Sequence, residues 1–380
     1  MSKRVRHNKD VNIGWKMKRI RTWTIRGIFM IMAVLFTGCS SSTSELKLLM
    51  EWTVETAQEA ASVQETGKKY RVGMITDIGG VKDQGFNQSA WEGLLAFHEL
   101  TGAVTTFLES DTTEDFAPNL SALVENGYTL CWGVGYQCAD AVLAVAEEYP
   151  EVNFAVIDNE YEDAPENVTS VVFRAQEPSF VVGYIAARVT KTGKVGFVGG
   201  AQSDIIDQFH YGYLAGVAYA NQEQHTNVEA FVQYVGDFVD DKKGEELANE
   251  MYADGCDIIY AAAGGAGLGV IRSAGETDHF VIGVDKDQAY LDPKHILTSG
   301  MKKVDIAILR VSQEYTQGID IGGRTLSFGM TEGAVGIPEG HENYADEIYD
   351  DAIALCDLIK AGKLIPPMNE EQYLAFISKL

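Results

Sequence analysis

The fold is decided by one stretch, which reads RVGMIT at residues 71–76, DIGGVKDQGF at 77–86 and NQSAWEGLLAFHELT at 87–101. Its first six residues form a short apolar run, which is typical of a buried strand. A glycine-containing loop then follows Asp77, and the residues from about Asn87 to Thr101 have the spacing of an amphipathic helix. Strand, glycine loop and helix in this order indicate an α/β unit.

The same kind of apolar run recurs along the chain. The further runs are 104–108, 130–134, 154–157, 168–173, 195–198, 230–235, 258–262, 280–284 and 296–298. Helical segments lie between most of them, at 139–149, 179–190, 211–221 and 243–253. Strands that are apolar on both faces and alternate with helices indicate parallel sheets covered by helices. Because about ten strands are too many for one compact sheet in this chain, the sequence predicts two doubly wound α/β lobes.

Ligands of such sheets bind outside the carboxyl ends of the strands. Polar or glycine-rich groups follow six of the predicted strands, at Asp77, 133–136, 158–159, 236–238, 264–267 and 285–287. Any one of them alone is typical of a turn or a helix cap. Six of them distributed over two lobes predict a ligand cleft between the lobes.

The N-terminus has the layout of a secretory signal peptide. Residues 1–26 contain nine basic side chains and one acidic side chain, and an uncharged apolar run follows at 27–36. This run is too short to span a membrane, which takes about 20 residues. We therefore predict a signal peptide at 1–38, followed by a tether at 39–69 that is rich in Ser, Thr, Glu and Ala. Met17 is an alternative start of the chain.

The sequence LFTGC at 35–39 resembles a bacterial lipobox, in which the cysteine receives a diacylglycerol and becomes the new N-terminus. Phe36 departs from the leucine that is usual at its position. Lipidation of Cys39 would anchor the protein on the extracytoplasmic face of the cell membrane. The alternative is an ordinary secretory signal that happens to contain a cysteine.

Composition is that of an exported globular protein. The chain has a formal charge of −25, and removing the net +8 of residues 1–38 leaves −33 on the remainder. Such a charge repels phosphates, so a nucleic acid partner is not expected. Hydrophobic residues make up 46% of the chain, which is enough for a substantial core.

Metal and cofactor sites are not predicted. Cys131, Cys138, Cys256 and Cys356 form no CxxC pair, and they are expected to be free thiols in the core, with a bridge between Cys131 and Cys138 as the alternative. The glycines at 265, 267 and 269 do not complete a dinucleotide fingerprint, because Val270 stands where its third glycine belongs. Phosphate-loop, zincin and nucleophile-elbow motifs do not occur in the sequence, so an enzyme is not expected.

Several segments resemble the basic membrane protein (BMP) family of substrate-binding lipoproteins. Residues 77–93, DIGGVKDQGFNQSAWEG, resemble the opening signature of that family, although Gly85 replaces its usual serine. Further similar segments follow in the right order at 192–200, 261–269, 282–288 and 297–305. The resemblance covers about residues 70–340.

The resemblance implies a type I periplasmic-binding-protein fold, with two α/β lobes joined by three crossovers. The first lobe is expected at 70–173 plus about 299–323, and the second at 174–298 plus about 324–380. The resemblance also implies a monomer that binds a nucleoside, with purine nucleosides as the expected class, and delivers it to the permease subunits of an ABC importer.

The family's binding residues carry over to eight positions, which are Asp77, Phe86, Asn87, Asp158, Phe238, Gly264, Asp285 and Lys302. The two aspartates 77 and 158 would bind or shape the pocket of the base, and the two phenylalanines would stack on its faces. Asn87 would support its loop, with a contact to the ligand as its second expected role, and the remaining three residues would hold the ribose.

Other interpretations of these residues stay open. Core packing is the alternative for the phenylalanines, and a surface ion pair is the alternative for Asp285 and Lys302. An exported nucleoside-processing enzyme, with Asp77 and Asp158 as its acid and base, is the alternative function from another class. A ligand sensor or surface receptor of the same fold is a third alternative.

Overall fold

The computed structural model describes residues 70–380, and the predicted signal peptide, Cys39 and the tether lie outside these residues. The strands are β1 (Arg71–Ile75), β2 (Val104–Leu108), β3 (Leu130–Gly133), β4 (Asn153–Ile157), β5 (Val168–Phe173), β6 (Lys194–Gly199), β7 (Glu229–Tyr234), β8 (Ile258–Ala262), β9 (Phe280–Asp285), β10 (Ile296–Lys302), β11 (Arg324–Phe328) and β12 (Val335–Gly336). The helices are α1 (Phe86–Thr101), α2 (Phe116–Glu125), α3 (Ala139–Glu148), α4 (Gln176–Val189), α5 (Asp204–Gln224), α6 (Asp241–Ala253), α7 (Gly267–Thr277), α8 (Val304–Thr316), α9 (Asp346–Lys360) and α10 (Glu370–Ile377).

The strands form two six-stranded sheets with the same internal order. The first sheet runs β11-β5-β4-β3-β1-β2, and the second runs β12-β10-β9-β8-β6-β7. The pairings are parallel, except that β12 is antiparallel to β10. Counted within its own sheet, each lobe has the strand order 2-1-3-4-5-6. The prediction of two doubly wound lobes is therefore confirmed, and the ten predicted strands correspond to β1–β10.

The chain passes between the lobes three times, after β5, after β10 and after β11. The expected lobe segments need one correction. The residues of strand β11 were expected in the second lobe, but the strand pairs with β5 in the first sheet. The segment predicted for the first lobe, about 299–323, stops before this strand and begins inside β10 of the second sheet. Strand β11 was missed because only two of its five residues, Leu326 and Phe328, are apolar, so it shows no apolar run.

Burial follows the pattern expected for sheets covered on both faces. Every residue of β3 and β8 is buried, and these strands lie inside the two sheets. Helices α4 and α5 pack against each other at close range, where a Cβ on Gly216 would lie 1.9 Å from the carbonyl oxygen of Phe180. Within residues 70–380, no helix has the length and apolar character needed to cross a membrane.

Candidate ligand-binding site

One cavity lies between the carboxyl ends of the two sheets. It encloses about 650 Å³ of empty space, part of which is open to solvent. The structure places all eight sequence-predicted residues around this cavity: Asp77, Phe86, Asn87, Asp158, Phe238, Gly264, Asp285 and Lys302. Because they come from both lobes, the cavity is an interlobe cleft, which is a position where small ligands commonly bind.

The loop between β1 and α1 is organised by two aspartates. The Nδ2 group of Asn87 donates to Asp77 Oδ1 at 2.7 Å, and the N–H of Gly79 donates to the same oxygen at 2.8 Å. Asn87 also donates from Nδ2 to Asp83, at 3.1 Å. The Asn87 amide is therefore occupied within its own loop, in agreement with a supporting role. Among the described residues, nothing donates a hydrogen bond to Asp77 Oδ2, which leaves this oxygen available to a ligand.

Asp83 is a structural member of the site that the sequence interpretation missed. Its carboxylate accepts hydrogen bonds from the N–H groups of Gly85, Asn87 and Gln88, at 3.1, 2.7 and 3.0 Å. These donors belong to the start of α1, whose first N–H groups have no partners within the helix. The signal was present in the sequence, since an acidic residue before a helix start is a capping pattern.

An ion pair crosses the cleft between Lys302 and Asp158. The Lys302 ammonium donates to Asp158 Oδ2, and only 3% and 6% of the two side chains are exposed. Three rings surround the ammonium, with centroids at 4.6 Å for Phe86, 5.2 Å for Phe173 and 5.8 Å for Phe209. The interpretation of Lys302 as half of a surface ion pair is therefore wrong, because its charge is buried and its partner is Asp158.

Asp285 ends β9 and is the least satisfied charge of the cleft. Its residue is 6% exposed, and no group within residues 70–380 donates a hydrogen bond to its carboxylate. Burial raises the pKa of Asp285 to about 7, although the nearby charge of Lys302 lowers it. Burial likewise raises the pKa of Asp77 to about 6, against the opposing effect of its hydrogen bonds from Gly79 and Asn87. Two carboxyl groups thus face the cavity without full compensation by the protein.

Phe238 approaches the cavity from the second lobe. A Cβ added to Gly200 would lie 2.3 Å from the Phe238 ring, so the ring packs directly on this glycine. The ring of Tyr136 in the first lobe meets Phe238 edge to face, with centroids 6.4 Å apart. Because of these contacts, the position of the Phe238 ring depends on both lobes.

The sequence interpretation also missed residues from the first turns of α5. The residues 205, 206 and 209, two isoleucines and a phenylalanine, line the cavity. The helix was expected from residue 211, but it begins at Asp204. Ser203 gave the signal, because its side chain caps the helix by accepting from the N–H of Ile206 at 3.4 Å.

Metal ligands do not cluster in the described part of the chain, where no group of three His, Cys, Asp or Glu residues could hold an ion. The four described cysteines are buried free thiols, as predicted, and Cys131 and Cys138 are not bridged.

Comparison with known families agrees with the interlobe cleft. Residues 70–370 match the family described as ABC transporter substrate-binding protein, PnrA-like. The chain belongs to this family. The resemblance to BMP proteins is confirmed by relatives such as Basic membrane protein A of Borreliella afzelii, which is 37% identical over 81% of this chain and 95% of its own length. The CD4+ T-cell-stimulating antigen of Listeria monocytogenes is 35% identical over 86% of this chain and 93% of its own length.

Solved structures confirm the type I periplasmic-binding-protein fold. The chain superimposes on an ABC transporter solute-binding protein of Aeropyrum pernix with a TM-score of 0.74 and 28% identity, over 82% of this chain and 97% of the other. A solute-binding protein of an ABC transporter from Conexibacter woesei has a TM-score of 0.64 at 22% identity, over 79% and 100% of the two chains, and supports the fold alone. Membership of this family gives the protein a solute-binding role with an ABC transporter.

Proposed function

We propose that this protein binds a purine nucleoside in the interlobe cleft and delivers it to an ABC permease by closure of the two lobes. The observation that carries the proposal is the gathering of all eight predicted residues around one cavity. These residues combine two aromatic rings with carboxylate oxygens, Asp77 Oδ2 and both oxygens of Asp285, that accept no hydrogen bond from any residue of 70–380. A flat base with a polar sugar fits that combination.

The two ends of a nucleoside would meet different groups. Phe86 and Phe238 come from opposite lobes and would stack on the two faces of the base, a contact that contributes about 1–3 kcal/mol per base. Asp77 Oδ2 would accept a hydrogen bond from the base. Asp285 would accept two hydrogen bonds from the vicinal hydroxyls of the ribose, and Lys302 would donate to a ribose oxygen.

Lobe closure follows from a ligand that touches both lobes. A ligand held by Asp77 on one side and Asp285 on the other makes its full set of contacts only when the lobes are close. Such differential contacts shift the population toward the closed state. The permease would then distinguish the loaded protein from the empty one. Lipidation of Cys39 would keep the protein at the membrane, near that permease.

A thermal-shift screen tests the ligand. The purified protein is heated with purine and pyrimidine nucleosides, free bases, ribose and common sugars. A ligand at 100 times its Kd adds about 2.7 kcal/mol to the free energy of unfolding, which raises Tm by several degrees. We expect this shift with purine nucleosides, and a smaller shift for Phe86→Ala and for Asp285→Ala at the same ligand concentration.

Two results would contradict parts of the proposal. If sugars raise Tm and nucleosides do not, the nucleoside assignment fails while the solute-binding role stands. If a bound nucleoside is converted to base and ribose on incubation, the protein is an exported nucleoside-processing enzyme instead. Chromatography of the incubated ligand separates these two cases from simple binding.

A further inference from the structure

The loop that follows β9, residues 286–290, contacts the first lobe at three points outside the proposed ligand contacts. The Lys286 ammonium bonds to both carboxylate oxygens of Glu92 on α1, at 2.7 and 2.6 Å. The Nε2 group of Gln288 donates to the backbone carbonyl oxygen of Gln84 at 3.1 Å. The hydroxyl of Tyr290 donates to Oε1 of Gln84 at 2.9 Å.

Gln288 connects these contacts to the cleft. It is 3% exposed, and its Oε1 accepts from the N–H of Val284 at 3.0 Å. Its backbone N–H donates to Ser299 Oγ on β10 at 3.1 Å. The residue is thus fixed to two strands of the second lobe, and one of its bonds is to the residue directly before Asp285. The same side-chain amide reaches the first lobe through Nε2.

The backbone conformation of Gln84 orients it to accept the hydrogen bonds from Gln288 and Tyr290. Its φ of 56° lies in the left-handed region, which costs energy for a residue with a side chain. The neighbouring Asp83 fixes this conformation, because its carboxylate binds the N–H groups of Gly85, Asn87 and Gln88. Gln84 thereby turns both its carbonyl group and its side chain toward the 286–290 loop.

We propose that the 286–290 loop is a latch that holds the lobes closed, and that Gln288 is the positioning residue which ties closure to the placement of Asp285. The proposal rests on the proposed function, since it requires lobes that close around a ligand. The three contacts of this loop would form between the lobes whatever solute is bound. In the open state Gln288 would keep its bonds within the second lobe and lose only its bond to Gln84.

Three substitutions dissect the latch. Gln288→Glu keeps an oxygen for the Val284 N–H but places the other carboxylate oxygen against the Gln84 carbonyl, so it breaks the interlobe bond; it also adds a buried charge, which Tyr290→Phe and Lys286→Met do not. Tyr290→Phe removes one hydroxyl from a side chain that is 54% exposed. Lys286→Met removes the ion pair that Lys286 forms with Glu92 of the first lobe. The matched control is Lys294→Met, which removes an ion pair to Asp278 of similar length, 2.7 Å, within the second lobe.

Single-molecule FRET measures the lifetime of the closed state without any ligand. Dyes attached through Glu114→Cys and Lys242→Cys would approach each other on closure, because these exposed positions follow the edge strands β2 and β7 at the cleft side of each lobe. We expect the closed-state lifetime to fall about tenfold in Gln288→Glu. About two- to fivefold falls are expected in Tyr290→Phe and Lys286→Met, and no change in Lys294→Met.

Nucleoside kinetics give the second readout, with adenosine, inosine and guanosine as probes. The dissociation rate should rise by the same factors as the closed-state lifetime falls, while the association rate stays within about twofold of the original. Unchanged lifetimes and unchanged dissociation rates in all three variants would overturn the latch. If Gln288→Glu fails to fold, Tyr290→Phe and Lys286→Met decide the question.

The latch and the nucleoside assignment fail in different ways. If no nucleoside binds the original protein but the closed-state lifetime falls in the variants, the latch stands and the ligand is another solute. If nucleosides bind and the variants keep both the lifetime and the dissociation rate, the ligand assignment stands and the latch is wrong.

Discussion

The two lobes share one strand order, yet they present different chemistry to the cleft. Asp158 follows the fourth strand of the first sheet, and Asp285 ends the fourth strand of the second sheet, with nearly equal left-handed φ angles of 65° and 64°. Asp158 receives the Lys302 ammonium, whereas Asp285 receives no hydrogen bond from any described residue. Equivalent backbone positions therefore hold one carboxylate that is paired with an ammonium group and one that accepts no hydrogen bond from a described residue.

The difference between Asp158 and Asp285 indicates which of the two carboxylates affects stability and which is free to bind a ligand. Removing the partner of a buried, paired carboxylate is strongly destabilising, while a buried carboxylate without a donor is a cost that a ligand can relieve. The left-handed backbone at both positions is a local strain of the kind that clusters at functional sites. In the first lobe Asp158 forms the ion pair with Lys302, and in the second lobe, under the proposed function, Asp285 accepts its hydrogen bonds from the solute.

The largest expected effect comes from breaking the compensation of Asp158. Lys302→Met keeps the length of the side chain and removes the charge, which leaves Asp158 buried without its donor. We expect the free energy of unfolding to fall by up to about 3–5 kcal/mol, as measured by urea denaturation at neutral pH; this is the upper limit, because opening of the lobes would return Asp158 to water. Lys294→Met, whose ion pair is exposed, should change the same quantity by less than about 1 kcal/mol.

A double variant tests the cause of that loss. Combining Lys302→Met with Asp158→Asn removes the charge that the first substitution leaves unpaired, so the double variant should be more stable than Lys302→Met alone. If it is less stable by the sum of the two single losses, the two side chains do not compensate each other and the comparison of the two aspartates loses its basis.

Much of this architecture could be predicted from the sequence because its signals are local. The strands inside the two sheets are continuous apolar runs, and all ten strands that were predicted are present in the structure. Strand β11 was missed because its five residues include only two apolar ones, Leu326 and Phe328. The eight cleft residues were assigned through the resemblance to a family, since single phenylalanines and aspartates in loops carry no pattern of their own.

The pairing of Lys302 with Asp158 could not be predicted from spacing. The two residues are 144 positions apart in the chain and come from different sheets. Their contact depends on how the two lobes face each other, which no local pattern encodes. The same holds for Gln84 and Gln288, whose bond spans 204 positions.

The ends of the first strands offer a second comparison, with a smaller expected effect. Asp77 lies just beyond β1 in the first lobe, whereas Gly200 follows β6 in the second and lies under the Phe238 ring. Gly200→Ala would push a methyl group into that ring and displace it. If Phe238 stacks on a base, the affinity for adenosine or inosine should fall about tenfold, as measured by calorimetry.

A matched substitution controls for the added methyl group. A Cβ added to Gly336 on β12 would have no neighbouring atom within 4 Å, and the φ of this glycine is not left-handed. Gly336→Ala should therefore leave both affinity and stability unchanged. Equal nucleoside affinities for Gly200→Ala and Gly336→Ala would show that the position of the Phe238 ring does not matter for binding.

A pH dependence of stability gives a third test, of whether the charge of Asp285 lacks a partner in the folded protein. Burial raises the pKa of Asp285 to about 7 and that of Asp77 to about 6, both above the ordinary value of 3.8. Between about pH 4 and pH 7 the folded, ligand-free protein therefore holds more protons on these groups than the unfolded chain. Their contribution to stability falls as the pH rises through this window, by up to about 1.4 kcal/mol per pH unit for each proton.

Denaturation of the ligand-free protein from about pH 5 to pH 7.5 measures this slope. Asp285→Asn cannot titrate, so its stability should decline less with rising pH than that of the original protein. Asp287→Asn, at an exposed position two residues away, should keep the original slope. If Asp285→Asn also keeps the original slope, then Asp285 is ionised throughout the window in the folded state. Its charge would then be compensated within the protein, and the two equivalent aspartates would not differ in the way that separates stability from recognition.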